Sequence, residues 1–293
     1  MKAGLLRGLA CGGLFALSFA ASADDGASTL APPLNAWVEI PVPPEASHED
    51  RLVWEYAGNY SPVSWRVDQR DDAIVAIRLS RSSPAAGRPS FLPSPGQYDD
   101  GVIVQRVDDG WLVAFNNGEF GAVLYWYSVD GATRYPVSSD HVVAFFEWKD
   151  RWHAIEGLAH LGSSRGTVVA LDKSLDRWQA TTLMHLPGAP LTVSVTERDD
   201  LLIALHDALV RVDATSGLRV VLPKAPWRFF HPRSSAWNER AGMLYIGMRQ
   251  YVARYEPATS TLTMLAPSPS AIHHLTPDEE PRIRRQARQT TDE

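Results

Sequence analysis

Apolar and polar residues alternate along most of the chain, and acidic turns interrupt the alternation at regular intervals. Residues 208–223 show the pattern most clearly, with an apolar run, the turn Asp-Ala-Thr-Ser-Gly at 213–217 and a second apolar run. A period of two residues predicts half-buried β-strands, and a short polar turn between two such runs predicts a hairpin. Related segments occur at 123–131, 167–174 and 251–260.

The acidic residues of these turns recur with nearly constant spacing. Asp130, Asp172, Asp213 and Glu256 are separated by 42, 41 and 43 positions. A repeat of about 40 residues built from short strands is typical of a β-propeller, in which each repeat forms one four-stranded sheet, or blade. The sequence therefore predicts an all-β fold, a β-propeller of five blades with four antiparallel strands each.

Five groups of predicted strands lie between residues 51 and 266, and the first group is the least regular. Their bounds are 51–57, 64–68 and 73–79; 102–107, 111–115, 122–129 and 132–137; 141–148, 152–158, 167–171 and 178–184; 191–196, 201–205, 208–212 and 218–222; and 234–238, 243–247, 251–255 and 261–265. A sixth blade is the alternative, in which a strand at 36–42 joins the segment after Pro267, because a ring of blades can close by pairing the two chain ends.

The turns of the last two repeats carry a resemblance to a known group of proteins. Asp-Ala-Thr-Ser-Gly at 213–217 and Glu-Pro-Ala-Thr-Ser at 256–260 resemble the strand-turn-strand units of bacterial kelch-like and related repeat propellers. The resemblance covers most of residues 101–266 and implies the repeat architecture. It transfers no functional residue, because one fold serves many functions.

The N-terminal residues have the composition of an export signal. The chain starts with Lys2 and Arg7, continues with an apolar run at 9–20 and reaches an Ala-Ser-Ala site that ends at Ala23. This pattern predicts a secretory signal peptide at 1–23, cleaved after Ala23, and thus a periplasmic or secreted protein. The alternative that Cys11 is an acylated first residue is disfavoured, because no large aliphatic residue stands three positions before it.

Three further segments follow the predicted signal peptide. Residues 24–50 are expected to form a lead with one closing strand, and residues 51–275 to form the propeller. Residues 276–293 mix arginines with acids and show no apolar pattern, which predicts a disordered tail. No run after the signal approaches the roughly 20 apolar residues of a membrane-spanning helix, so no membrane span is expected.

Charge limits the choice of partner. The chain has 28 Lys and Arg against 34 Asp and Glu, a formal net charge of −6. Removal of residues 1–23 takes away Lys2 and Arg7 and leaves 26 basic against 34 acidic residues, a net charge of −8. A negative surface repels phosphate backbones, so the sequence predicts that nucleic acid is not a partner.

One face of the predicted propeller gathers chemically mixed side chains from distant repeats. The loops between second and third strands and the segments that enter each blade should lie together around the channel. The candidate binding residues on them are Asn117, Glu119, Asp140, His160, Arg165, His206, Asp207, Trp227, Arg228, His231 and Arg249. Exposed aromatic and arginine side chains are enriched at binding hot spots. For Trp227, Phe229 and Phe230 the alternative is packing between two blades.

No residue is predicted to be catalytic. Residues 162–166 read Gly-Ser-Ser-Arg-Gly and fit the G-x-S-x-G pattern, but a nucleophile elbow needs a following helix, and residues 167–171 predict a strand. The glycines and Arg165 could instead hold an anion. An enzymatic alternative would need a divalent ion, for which the available ligands are His160, His206, His231, Glu119 and Asp207.

These residues favour a binding protein over an enzyme. The predicted function is a periplasmic or secreted module that binds a protein or peptide of the cell envelope, as an inhibitor or interaction partner, without a cofactor. The first alternative is a propeller hydrolase or lactonase that uses a divalent cation. The second is a carbohydrate-binding propeller that uses exposed tryptophans.

Overall fold

Five antiparallel sheets and two α-helices form the part of the chain that the structure describes. The computed structural model describes residues 31–79, 87–93, 101–213 and 215–291, and the predicted signal peptide lies outside them. The helices are α1 (His48–Tyr60) and α2 (Glu280–Thr291), and short 3-10 helices occupy Leu34–Ala36, Gly118–Phe120 and Pro269–Ala271. The strands are β1 (Val38–Ile40), β2 (Ser64–Arg70), β3 (Ala73–Leu79), β4 (Val102–Val107), β5 (Gly110–Asn116), β6 (Ala122–Ser128), β7 (Arg134–Ser138), β8 (Val142–Trp148), β9 (Arg151–His160), β10 (Ser163–Ser174), β11 (Arg177–Leu186), β12 (Pro190–Val195), β13 (Leu201–Leu205), β14 (Leu209–Asp213), β15 (Gly217–Leu222), β16 (Ser234–Asn238), β17 (Met243–Gly247), β18 (Val252–Glu256) and β19 (Thr261–Ala266).

Each sheet is built from strands that follow one another in the chain, as a propeller blade requires. Blade one is β2–β3, blade two is β4–β7, blade three is β8–β11, blade four is β12–β15, and blade five is β16–β19 with β1 added at its edge. All five residues of β13 are buried, because this strand lies in the middle of its sheet with neighbours on both faces. The predicted five-bladed, all-β architecture is confirmed.

The first strands of four blades surround a central cavity. Strand β12 packs against β8 and β16, and β16 also packs against β2. Together these strands line a cavity of about 530 Å³, to which Asp68, Glu147, Ser194 and Trp237 contribute. This arrangement puts the connections between strands at the two ends of the cavity, so that loops from different blades meet.

Helix α1 occupies residues where the sequence predicted the strand 51–57, and that prediction is wrong. The acids Glu49 and Asp50 lie in the first turn, where the helix dipole favours negative charge. Arg51 pairs with Glu55 one turn later at 2.8 Å. Within the described residues, blade one therefore consists of the two remaining predicted strands, which are present as β2 and β3.

Helix α2 lies within residues 276–293, where the sequence predicted disorder. Ile283 and Ala287, one turn apart, are buried and pack the helix against α1. Thr276 and Glu279 cap its start reciprocally, each side chain accepting from the other's backbone N–H. Two buried side chains are too few to produce an apolar pattern, but the Thr-x-x-Glu capping box was a readable signal. Neither helix is long and apolar enough to cross a bilayer, among the residues described.

Strand β1 lies within the predicted strand 36–42, but it belongs to blade five and not to a sixth blade. Val38 lies opposite Ala266 and Ile40 lies opposite Met264, so β1 pairs antiparallel with β19. The N-terminal lead thus extends blade five by a fifth strand and does not build a sixth blade.

Candidate functional site

The loops that join second and third strands lie on one face, which we call the upper face. Glu119 of blade two contacts His160 of blade three, and the backbone N–H of His206 in blade four donates to the Ala189 carbonyl at 2.8 Å. The upper face comprises the loops 117–121, 161–162, 206–208 and 248–250, the segments 139–141, 187–189 and 223–233, and the C-terminal end of α1. Residues from four blades and one helix therefore share this surface.

A histidine–carboxylate contact joins blades two and three at the upper face. Nε2 of His160 lies 2.6 Å from Oε2 of Glu119. His141, which enters blade three, contacts the Gly118 carbonyl through its own Nε2 at 3.0 Å. Asn117 is exposed next to them. The structure thus brings three of the sequence-predicted residues, Asn117, Glu119 and His160, to one junction.

Two large apolar side chains are exposed on the two loops that this contact joins. Phe120 is 86% exposed and Leu161 is 91% exposed. They directly follow Glu119 and His160 in the chain, so the Glu119–His160 contact brings the loops that carry them together. We call Phe120 and Leu161 the apolar tip. Its exposure could not be predicted from the sequence, because an apolar residue in a turn gives no sign of whether it is buried or exposed.

Leu161 adopts the left-handed backbone conformation, which is energetically unfavourable for leucine. It forms a two-residue turn with Gly162 between β9 and β10, and their φ angles are 45° and 79°. Such type I′ turns favour Asn-Gly, because both residues need positive φ. An ordinary L-residue in the left-handed region loses about 1–2 kcal/mol. The chain therefore keeps an exposed leucine where a polar residue would fold better.

Leu161→Asn is expected to raise the free energy of unfolding by about 1 kcal/mol, because asparagine tolerates the left-handed conformation better than leucine. Urea unfolding followed by tryptophan fluorescence measures the change. Leu175 is a matched control in the β10–β11 turn at the other end of β10, 96% exposed with φ 51°. Leu175→Asn should stabilise the protein to a similar degree; a loss of stability in both variants would contradict the interpretation.

Asn59 at the end of α1 orients two predicted site residues. Its Oδ1 accepts hydrogen bonds from Arg249 at 2.7 Å and from Nε2 of His231 at 3.0 Å. Burial of the imidazole, followed by the positive charges of Arg249 and Arg233, lowers the pKa of His231 to about 4. His231 is therefore neutral at pH 7 and leaves Nδ1 as an acceptor.

His206 lies in the same electrostatic environment. Burial of its ring and the charge of Arg228 lower its pKa, and the carboxylate of Asp207 partly opposes them. His206 in turn acts on His231, so the two histidines share one cluster. The structure thus brings together the predicted residues of blades four and five.

A row of aromatic rings continues this cluster across the surface. Tyr60 is 45% exposed and contacts Tyr56 at 5.8 Å between ring centroids. Tyr56 stacks on Phe229 at 5.7 Å, and the guanidinium of Arg228 lies over the Phe229 ring at 5.6 Å. We call Tyr60, Phe229, Arg228, His206 and His231 the basic–aromatic patch.

Trp227 is not a surface residue, which corrects its place among the predicted binding residues. Its side chain is fully buried, and its Nε1 donates to the Leu205 carbonyl at 2.8 Å. Phe230 is also fully buried, against Trp54 of α1. The packing alternative therefore holds for these two aromatics, whereas Phe229 lies nearer the surface.

The remaining predicted binding residues, Asp140 and Arg165, lie outside the two clusters or at their margins. Asp140 is half-buried before β8, and Arg165 is exposed on β10. Ser164 also lies on β10, and its hydroxyl accepts a hydrogen bond from the Ala189 N–H at 2.8 Å. The loop expected at 160–166 is only the turn Leu161–Gly162, and Ser164 has no elbow geometry.

The ligand set of the metal-dependent alternative is divided between the two clusters. Glu119 and His160 pair with each other, whereas His206, His231 and Asp207 surround the end of α1. Over the described ranges, no three His, Cys, Asp or Glu side chains come close enough to hold one ion. Within these ranges, the geometry offers no site for the divalent ion that the hydrolase or lactonase alternative requires.

The tryptophans do not form an exposed platform for a sugar. All ten lie in the described ranges, and each is buried or half-buried. Trp126 and Trp178 illustrate their role, since both donate through Nε1 to Oδ1 of Asp109, at 3.2 and 3.1 Å, and so join blades two and three.

Comparisons with known proteins give similarity in architecture alone. No protein-family model and no curated protein sequence matches the chain. A streptogramin B lyase structure has a TM-score of 0.40 and 16% identity, over 72% of this chain and 72% of that one. Virginiamycin B lyase from Staphylococcus aureus has a TM-score of 0.41 and 12% identity, over 73% of both chains. The extracellular domain of the hybrid two-component system BT4673 from B. thetaiotaomicron has a TM-score of 0.41 and 12% identity, over 78% of this chain and 29% of that one. The assignment as a β-propeller therefore rests on the chain's own five sheets.

Proposed function

We propose that this protein is a binding propeller of the cell envelope, and that a protein or peptide partner docks on its upper face. The apolar tip is the observation that carries the proposal, since Phe120 and Leu161 are 86% and 91% exposed on two loops that the Glu119–His160 contact joins. Single exposed apolar residues need no explanation, but contiguous apolar patches mark interaction sites. The envelope location rests on the predicted signal peptide at residues 1–23.

Covering the apolar tip would contribute part of the free energy of binding. Moving a phenylalanine or leucine side chain from water into a packed contact contributes about 1.5–3 kcal/mol. The left-handed backbone of Leu161 opposes folding, and its φ of 45° is kept in spite of that. Leu175 has a similar exposure and a similar φ of 51° at the other end of β10, so the feature that distinguishes Leu161 is the exposed Phe120 on the neighbouring loop.

The surroundings of the tip also suit a protein partner. The Glu119–His160 contact and the exposed Asn117 give it a polar rim, as interfaces have around their apolar centres. Arginine and tyrosine, the residue types enriched at hot spots, occur on the same face as Arg228 and Tyr60. The two side chains of the tip are almost fully exposed, and this accessibility suits insertion into an apolar cleft on a second macromolecule.

The test is capture of the partner by variants of the tip. The double variant Phe120→Ser with Leu161→Asn is expected to recover the partner from an envelope extract at least about tenfold less well than the natural chain, because two anchor side chains are lost. Quantitative mass spectrometry after cross-linking measures the recovery.

Leu175→Asn is the control for this experiment, because it relieves the same strain at the opposite end of β10. It should stabilise the protein and leave recovery unchanged. Since Leu161→Asn is itself stabilising, unfolding cannot explain a loss of partner. Equal recovery by the double variant and by Leu175→Asn would rule out the apolar tip as the docking surface.

A further inference from the structure

Positive charge concentrates around the end of α1, although the whole chain is acidic. The formal net charge is −6. Among the described residues, the Lys, Arg, Asp and Glu side chains that act on His206 and His231 are nevertheless Arg228, Arg233, Arg249 and Asp207. Such a local patch attracts a short acidic segment, while the negative remainder of the surface repels a long polyanion.

The positive charge of Arg228 in the patch lies against a row of aromatic rings. The guanidinium of Arg228 lies over Phe229, which stacks on Tyr56, and Tyr56 contacts the exposed Tyr60. A guanidinium stacked on a ring keeps its N–H edge available for a carboxylate and loses less freedom on binding. The rings themselves offer flat apolar area for a peptide backbone.

His231 adds a second polar group to the patch. Its ring is held by the hydrogen bond to Asn59, which also binds Arg249. The residue lies at the protein surface, while its ring is partly enclosed by these neighbours. A carboxylate placed against Arg228 would therefore meet a guanidinium positioned by Phe229, and it would accept a hydrogen bond from Nδ1 of His231, which Asn59 orients, once that nitrogen is protonated.

We infer that the basic–aromatic patch binds an acidic peptide segment of the partner, with carboxylates on Arg228 and His231 and the peptide backbone over Tyr60. The inference rests on the proposed function, because it names the chemistry of the segment that docks on the upper face. It adds a charged subsite to the apolar tip.

Protonation of His231 should be coupled to binding. Burial and the charges of Arg249, Arg233 and His206 disfavour its protonated form in the free protein, whose pKa is about 4. Arg228 and Asp207 act on the adjoining His206. A bound carboxylate favours imidazolium and raises the pKa of His231, so the complex takes up protons and becomes tighter as the pH falls.

Fluorescence anisotropy with the mature chain and a labelled peptide of about ten alternating Glu and Ala residues tests the inference. A peptide with Gln in place of Glu is the neutral probe. Arg228→Gln is expected to weaken binding of the acidic peptide about fivefold, as one exposed charge pair is removed. Arg198→Gln, in the exposed β12–β13 turn of the opposite face, is the matched control and should change nothing.

The pH dependence provides a second readout. Affinity for the acidic peptide should rise roughly threefold from about pH 7.5 to about pH 5.5, and His231→Asn should reduce this rise. Equal affinity for the acidic and neutral peptides, or equal losses in Arg228→Gln and Arg198→Gln, would overturn the inference. So would tighter binding of an oligothymidine of similar length.

This experiment can fail independently of the proposed function. If the tip variants lose the natural partner but the acidic peptide does not bind, the inference alone is rejected. If the acidic peptide binds through Arg228 while the tip variants keep full recovery of the partner, the role of the apolar tip is rejected. Circular dichroism of each variant confirms that it is folded.

Discussion

Trp227→Ala is expected to lower the free energy of unfolding by about 3–5 kcal/mol. The indole is fully buried and lies in one core cluster with Phe230 and Tyr251. Its Nε1 donates to the Leu205 carbonyl at 2.8 Å, which ties the segment entering blade five to blade four. The variant loses the packing of a large side chain, leaves a cavity and removes this hydrogen bond. Urea unfolding measures the change.

Two further variants separate packing from surface effects at this position. Trp227→Phe keeps most of the apolar volume but lacks the donor, so it should lose only about 1–2 kcal/mol. The neighbouring Arg228→Gln is expected to change stability by less than about 0.5 kcal/mol, because Arg228 is exposed. A loss below about 1 kcal/mol for Trp227→Ala would mean that the indole is not in the core.

Gly58→Val is expected to lower the free energy of unfolding by about 3 kcal/mol, at the upper end of the range for overpacking. A Cβ atom at Gly58 would lie 2.0 Å from Cε1 of Phe230, so helix α1 could not keep its position. The same helix presents Asn59 to His231 and Arg249. Displacement of α1 should therefore disturb the basic–aromatic patch as well as stability.

Two measurements test whether Gly58 packs against Phe230 and so allows α1 to dock. In a Phe230→Ala background the added cost of Gly58→Val should become much smaller, because the atoms that clash are gone; additive losses would contradict the contact. In Gly58→Val alone, NMR titration should show the pKa of His231 moving up from about 4, since a displaced helix exposes the imidazole. An unchanged pKa would show that α1 remains docked.

Strand positions were predictable because they depend on local patterns. Predicted strands at 201–205 and 243–247 coincide with β13 (Leu201–Leu205) and β17 (Met243–Gly247). The alternation of apolar and polar residues and the polar turn that follows it lie within a few residues of each other. A short stretch of sequence is therefore enough to predict where a strand lies. The regular spacing of the acidic turns then predicted one sheet for each repeat.

The packing of the helices was not predictable in this way, because their partners are distant in sequence, although the Thr276–Glu279 capping box was a local signal for the start of α2. Trp54 of α1 packs on Phe230 at 4.5 Å between ring centroids. Arg284 of α2 donates to Asp50 of α1 at 2.9 Å, across a separation of 234 positions. No local pattern encodes such contacts, so α1 was assigned as a strand and α2 as disordered.

The sequence by itself determined the five-sheet architecture and the set of loops that share the upper face, because strand period, turn chemistry and repeat length are local properties. Only the tertiary structure decided which side chains of those loops reach solvent. Trp227 and Arg228 are neighbours in the chain, yet one is fully buried and the other exposed. The difference arises because blade four and helix α1 enclose one side of that segment and leave the other to water.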